Sequence, residues 1–210
     1  MSYISLDSST SSTTVVVFDK DLNIQKKFQK EHQQIHTSEG FVEHDLEEIY
    51  NNLIELIKKA AEIAPDPQLI SITNQRETFT LFDKLTGKPV RNAVVWQCTR
   101  GEEICEKILN NKEYSELITQ KTGLKANTFF SASKLKWVIE NEPHIKEGLI
   151  KGNILFGTVD TYLLYRLTKC KEYATDTTNA SRTLLFNCID NRWDNELFSI
   201  FEIEQFKLAD

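Results

Sequence analysis

Apolar and polar positions first alternate along the chain and then change period. Tyr3-Ile4-Ser5-Leu6 and Val15-Val16-Val17-Phe18 are two apolar runs separated by residues 7–14, which are almost entirely Ser and Thr. Two such runs joined by a polar turn predict a hairpin. Beyond the turn residues 19–23, the mixed segment 24–35 predicts a third antiparallel strand with a solvated face. The period changes at Asp45, where Leu46, Ile49, Leu53, Leu56, Ile57, Ala60 and Ile63 recur at helical spacing. Asp45 with Glu48 three residues on has the pattern of a capping box, so a helix is expected over about 46–63, ending before Pro65. Residues 69–73 form the next strand, parallel to its neighbour because a helical crossover precedes it.

Residues 78–82 and 93–96 flank the turn residues 84–89 and predict a second hairpin or a loop excursion. Helices are expected over 102–109, 114–119, 134–140 and 144–149, punctuated by Gly123 and Pro143. A strand at 154–156, a helix at 161–167, a strand at 183–186 and a helix at 195–201 complete the pattern. The fold class is α/β, with a mixed sheet whose first three strands are antiparallel and with a helical insertion.

Length and charge narrow the function. A chain of 210 residues buries roughly 70% of its unfolded surface and needs neither metal nor disulfide to hold a core. Its 25 basic and 31 acidic residues give a net charge of −6 with no long block of one sign, which argues against nucleic acid as a partner. Cys98, Cys105, Cys170 and Cys188 form no C-x-x-C pair and read as reduced thiols, mostly in core positions. The N-terminus lacks a basic segment followed by an apolar one, and no apolar run approaches the ~20 residues of a membrane helix. A soluble, cytoplasmic protein without a membrane span is expected.

Three clusters can carry chemistry. Asp7 and the hydroxyls of residues 8–14 sit at a hairpin tip, where amides and hydroxyls donate to phosphate and a carboxylate holds Mg²⁺; a plain Ser/Thr-rich turn is the alternative. Arg76 and Glu77 directly follow a strand, at the end of a sheet where ligands collect. A guanidinium that donates to hydroxyl oxygens beside a carboxylate that accepts from hydroxyl hydrogens suits an uncharged polyol; a surface ion pair fits the same spacing. Trp96 either walls a small-ligand pocket or packs in the core. G-x-S-x-G, H-E-x-x-H and Walker patterns are missing, so hydrolase and metalloenzyme readings lack support.

At these residues the chain resembles the FGGY family of carbohydrate kinases, and within it the glycerol kinases. The resemblance is carried by Leu6-Asp7 with the Ser/Thr hairpin, Gly40-Phe41-Val42-Glu43-His44-Asp45, Ile72-Thr73-Asn74-Gln75-Arg76-Glu77-Thr78 and Trp96-Gln97-Cys98. Further on come Thr122-Gly123-Leu124, Phe130-Ser131, Lys136-Trp137, Phe156-Gly157-Thr158-Val159-Asp160-Thr161 and Thr178-Asn179-Ala180-Ser181-Arg182-Thr183, in order along nearly the whole chain.

The resemblance implies a ribonuclease-H-like, actin-like ATPase domain and transfer of the ATP γ-phosphoryl group to glycerol, giving glycerol 3-phosphate. It implies that Arg76 and Glu77 bind glycerol hydroxyls, with Trp96 and the ring of Phe129 against the carbons. It also implies that Thr10, Ser11, Ser12 and Thr14 lie at the nucleotide phosphates and Asp7 at Mg²⁺. Ser9 replaces the usual glycine of the hairpin, Thr14 stands where the family has Arg or Lys, and Phe129 stands where a glycerol-binding Tyr is expected. Residues 1–210 are expected to be the N-terminal, substrate-binding domain. The catalytic base and a C-terminal domain are then expected beyond residue 210, leaving this chain alone inactive or very weak. A homo-oligomer, a non-catalytic binding or regulatory module, and another FGGY sugar kinase stay open as alternatives.

Overall fold

A computed structural model of the chain describes residues 1–203 and 206–210. In chain order the elements begin with β1 (Ser2–Ser8), β2 (Ser12–Asp19), β3 (Ile24–Glu31), β4 (Gln34–His36), β5 (Val42–His44), α1 (Leu46–Ile63), β6 (Leu69–Asn74), β7 (Phe79–Asp83) and β8 (Ala93–Val94). There follow α2 (Glu102–Asn110), α3 (Lys112–Thr122), α4 (Ser131–Asn141), α5 (Pro143–Ile150), β9 (Ile154–Thr158), α6 (Val159–Leu167), α7 (Thr177–Ala180), β10 (Phe186–Asn187), β11 (Arg192–Trp193) and α8 (Asn195–Ile200). They form two compact units, Met1–Ile35 with His44–Gln75, and His36–Glu43 with Arg76–Asp210.

The first unit is built on a sheet of order β3-β2-β1-β6. β1, β2 and β3 run antiparallel and β6 pairs parallel with β1, which is the mixed sheet expected from the pattern. Side-chain alternation puts Ile4, Leu6, Val15 and Val17 on the buried face. α1 supplies Leu46, Ile49, Leu53, Leu56 and Ala60 from its apolar stripe. Each fully buried Leu or Ile contributes roughly 1.5–3 kcal/mol, so this stripe holds α1 in place. Asp45 caps the helix by accepting from the amides of Glu47 at 2.8 Å and Glu48 at 3.3 Å.

The expected third strand is broken in two. His32 turns inward to 6% exposure. Its amide donates to the Ser11 carbonyl at 3.1 Å, and its ring Nε2 bonds the Thr10 carbonyl at 3.2 Å. β3 stops at Glu31 and β4 begins at Gln34, on either side of this inward-turned histidine.

In the second unit β7 pairs antiparallel with β8 at Phe79↔Val94, the hairpin of the two expected alternatives, but its long partner is β9, with Phe79 opposite Thr158 and Asp83 opposite Ile154. The full order is β4-β5-β8-β7-β9. Helices α2 to α5 are inserted between β8 and β9, and their apolar faces share one core with Phe79, Leu81 and Phe156. Gly101 caps α2 at φ +80°, where a β-carbon would run into the Ser133 carbonyl, so α2 starts hard against α4.

Glu43, on β5, accepts from Arg91 at 2.8 Å and from Arg100 at 2.5 Å, and Arg100 lies over the Phe41 ring at 4.2 Å. The strand expected at 183–186 is mostly turn. The Thr183 hydroxyl donates to the Ala180 carbonyl and accepts from the Leu185 amide, and Leu184 sits at φ +64°. Cys98 and Cys105 are buried, whereas Cys170 is half-buried and Cys188 exposed, so only the first two fit the expected core placement. Among the described residues no helix is long and apolar enough to cross a membrane.

Candidate functional site

The hairpin of the first unit is tighter than its composition suggests. β1 and β2 pair up to Ser8↔Thr13, so only Ser9, Thr10 and Ser11 lie outside the strands. The carbonyls of this tip are engaged from behind: Ser9 O accepts from the Gln75 side-chain amide at 3.3 Å, Thr10 O bonds the His32 ring, and Ser11 O accepts from the His32 amide. Gln75 also bonds the Ser8 carbonyl through its backbone amide at 2.8 Å and meets His44 Nδ1 through its side chain at 3.1 Å. Burial pushes the His44 imidazole down to about 4, and His32, itself lowered by burial, adds to the effect. Neutral His44 therefore accepts the Gln75 N–H at Nδ1. These bonds hold the carbonyls of the tip in place.

The predicted residues distribute unevenly over that hairpin. Ser11 is exposed and Thr10 half-buried at the tip. Ser12 is buried, its hydroxyl engaged with Ser9 and with Gln29 Nε2 at 2.9 Å, so its side chain braces the hairpin from within. Asp7 and Thr14 are cross-strand partners on the less buried face. Burial holds the Asp7 carboxyl above the ordinary carboxylate range, while Lys27 pulls it the other way. A carboxylate whose charged form is penalised by desolvation gains from a cation beside it. No group of three or more His, Cys, Asp or Glu that could hold a metal exists among the described residues. Asp7 thus fits an ion that takes one protein carboxylate and completes its shell with waters and phosphate oxygens, the usual manner of Mg²⁺.

In the second unit, Arg76 and Glu77 part company. Arg76 is exposed, whereas Glu77 is buried at 7% exposure. Glu77 pairs not with its neighbour but with Arg182, whose Nε donates to Oε1 at 2.6 Å. Arg182 in turn lies over the Phe130 ring at 4.8 Å. Glu77 adopts φ +63°, a region a non-glycine residue seldom occupies, and its carbonyl accepts from the Ser131 hydroxyl at 3.0 Å. The backbone is held in a strained conformation that presents a carboxylate, the kind of arrangement that concentrates at ligand sites.

Trp96 and Phe129 stand together, ring centroids 5.0 Å apart at 55°. Phe129 is 37% exposed, Trp96 is partly buried, and the Trp96 amide donates to the Thr78 hydroxyl at 3.2 Å. Within the second unit there are thus an exposed guanidinium, an arginine-oriented carboxylate and a two-ring apolar wall, all carried by the 76–96 and 129–182 segments. Sequence reasoning missed Arg182, which stands 105 positions from Glu77. It also missed Gln75, His32 and His44 behind the hairpin. Arg182 lies inside the quoted Thr178 to Thr183 string, which is the one signal that could have drawn attention to it.

The chain is similar to known carbohydrate kinases along nearly its whole length. Glycerol kinase 2 of Thermotoga maritima is 46% identical over 213 residues, covering 99% of this chain and 43% of that protein. The glycerol kinase of Shewanella amazonensis is 45% identical over 204 residues, covering 95% of this chain and 41% of its own length. The chain thus spans about two-fifths of the length of these curated relatives. Among solved structures, Plasmodium falciparum glycerol kinase with ADP matches with a TM-score of 0.90 at 39% identity, over 96% of this chain and 40% of that one. A xylulose kinase from Lactobacillus acidophilus, 23% identical over 100% of this chain and 41% of its own, shares the fold with a TM-score of 0.85. Residues 2–210 match the N-terminal domain of the FGGY family of carbohydrate kinases, and the chain belongs to that family.

Proposed function

We propose that this chain is the substrate-binding part of an ATP-dependent glycerol kinase. The observation that carries the reading is the Glu77 carboxylate, buried, oriented by Arg182 and next in sequence to the exposed Arg76, in the same unit as the Trp96–Phe129 wall. A polyol offers hydroxyl hydrogens to a carboxylate, hydroxyl oxygens to a guanidinium and C–H surface to aromatic rings. Arg76 and Glu77 bind and orient the glycerol hydroxyls, and Trp96 and Phe129 exclude water from its carbon side. Thr10, Ser11, Ser12 and Thr14 lie along the hairpin that receives the nucleotide phosphates, Ser12 through its backbone and its bracing hydroxyl. Asp7 would hold Mg²⁺, which when bound neutralises charge on the phosphate oxygens. The group that accepts the proton from the attacking hydroxyl belongs to the part of the relatives that this chain does not span.

The test is ATP-dependent formation of glycerol phosphate by the full-length protein, run beside Arg76→Ala. Loss of one charged hydrogen bond to the substrate predicts a fall in kcat/KM of about ten- to hundredfold. An unchanged rate in the variant places glycerol elsewhere. Xylulose and ribulose as competitors report whether the polyol is instead a longer sugar. Phe129→Tyr places a hydroxyl at the rim of the wall, and an added neutral hydrogen bond of about 1 kcal/mol predicts a glycerol KM about fivefold lower. A higher KM in that variant would show that the ring edge faces carbon rather than oxygen.

A further inference from the structure

One charged side chain of the second unit takes no part in the roles assigned so far. Lys134, in the first turn of α4, has 0% exposure and is among the largest fully buried side chains of the protein. Buried lysines are rare because the ammonium loses its hydration. Burial pushes Lys134 down to about 7, against the pull of Cys98, Glu77 and Cys105 nearby. A leucine or methionine would fill the same volume without that cost, so the nitrogen has a use.

Its use is visible in its bonds. Nζ donates to the Trp96 carbonyl at 3.2 Å and to the Phe129 carbonyl at 3.0 Å. These are the two residues whose rings form the wall, and they lie on segments 33 positions apart in sequence with no strand pairing between them. A single nitrogen bonded to both carbonyls sets the separation of the two segments and hence of the rings. From the same helix turn, Ser131 bonds the Glu77 carbonyl, so α4 anchors the carboxylate and the wall together.

We infer that Lys134 is a positioning residue for polyol recognition, holding Trp96 and Phe129 at the spacing that receives the carbon face of the substrate. The substrate half of this statement rests on the proposed glycerol reading; the tie between Lys134 and the wall does not.

The experiment separates the two. In a full-length protein carrying Trp137→Phe and Trp193→Phe, Trp96 is the remaining tryptophan of this chain, and tryptophans outside the chain are likewise replaced. Lys134→Met keeps the stem and removes the donors. Its expected effects are acrylamide quenching of Trp96 raised about twofold and a glycerol KM raised about fivefold, with kcat and the ATP KM within about twofold of the parent. Lys134→Arg, which keeps N–H donors on a long stem, is expected to recover both readouts in part. If the methionine variant does not fold, Lys134→Gln replaces it, because its shorter amide reaches one carbonyl at most.

Quenching equal to the parent in a folded variant overturns the inference outright. Raised quenching with an unchanged glycerol KM, in a protein that does phosphorylate glycerol, overturns the substrate role. Raised quenching in a protein that never phosphorylates glycerol sinks the glycerol reading and leaves Lys134 as the holder of the wall.

Discussion

Glu77→Ala in the full-length protein is expected to lower kcat/KM for glycerol by on the order of 10³-fold, the largest effect of any single substitution in this chain. Two contributions add. On the proposed reading the carboxylate accepts hydroxyl hydrogens of glycerol, and hydrogen bonds to a charged group are worth roughly 1.5–3 kcal/mol each. Its removal also leaves Arg182, which donates to Oε1 at 2.6 Å, without its counter-charge. Glu77→Gln isolates the first contribution. The amide oxygen still accepts from Arg182, but the amide nitrogen presents hydrogens where a hydroxyl must donate, so this variant should lose nearly as much activity while keeping parent-like thermal stability. Steady-state kinetics and a thermal melt on both variants decide the matter. A Glu77→Gln enzyme with more than about a tenth of parent kcat/KM would show that the carboxylate only supports the fold.

The second expected result concerns acid. His44 has 0% exposure and titrates near 4 in the folded protein, against 6.5 for a free imidazole. The folded state is therefore neutral at His44 while the unfolded chain takes up a proton as pH falls below 6.5. Stability is full above that value and is lost progressively down to about 4. Between pH 7 and pH 5 the loss from His44 alone is roughly 2 kcal/mol, and His32, also lowered by burial, shifts it further in the same direction. The groups around the pair are Glu48 on α1, whose charge raises His32, and the polar Gln75 and Thr10. Urea midpoints at the two pH values, measured on the parent and on His44→Gln, check this. Equal pH slopes in the two proteins would remove His44 as the cause.

How far the structure could be read from the chain depended on the range of the interactions involved. α1 was legible because seven apolar residues share one stripe and Asp45 marks its start, both local signals. The β1–β2 hairpin and the parallel β6 followed from short apolar runs and one crossover. The inward turn of His32 was not legible, because its ring bonds the Thr10 carbonyl, some twenty positions earlier. β8, β10 and β11 are two residues each, too short for any period to show. Residues 183–186 looked like a strand by composition, yet the Thr183 hydroxyl competes for the backbone and the chain turns. At the site, Arg76 and Glu77 stand out as neighbours, but adjacency does not show their surroundings: one is exposed and the other is paired with a residue 105 positions away. Lys134 opens the helix expected over 134–140, and nothing local distinguishes a lysine that reaches solvent from one that reaches two carbonyls.

The order of strands in the first unit also sets a timetable for synthesis. β1 lies between β2 and β6, and its parallel partner ends at Asn74. A nascent chain elongating at about 5–20 residues per second leaves one flank of β1 unpaired for roughly 3–13 s after Ser8 is made. During that interval the apolar run Val15-Val16-Val17-Phe18 is hydrogen-bonded in its hairpin but uncovered, because α1 and β6 are still to come. The polar, charged β3, Ile24–Glu31, is made first and closes the other edge with lysines and glutamines. Charge on β3 guards the outer edge of the half-made sheet against a neighbouring chain, while the flank of β1 waits for β6.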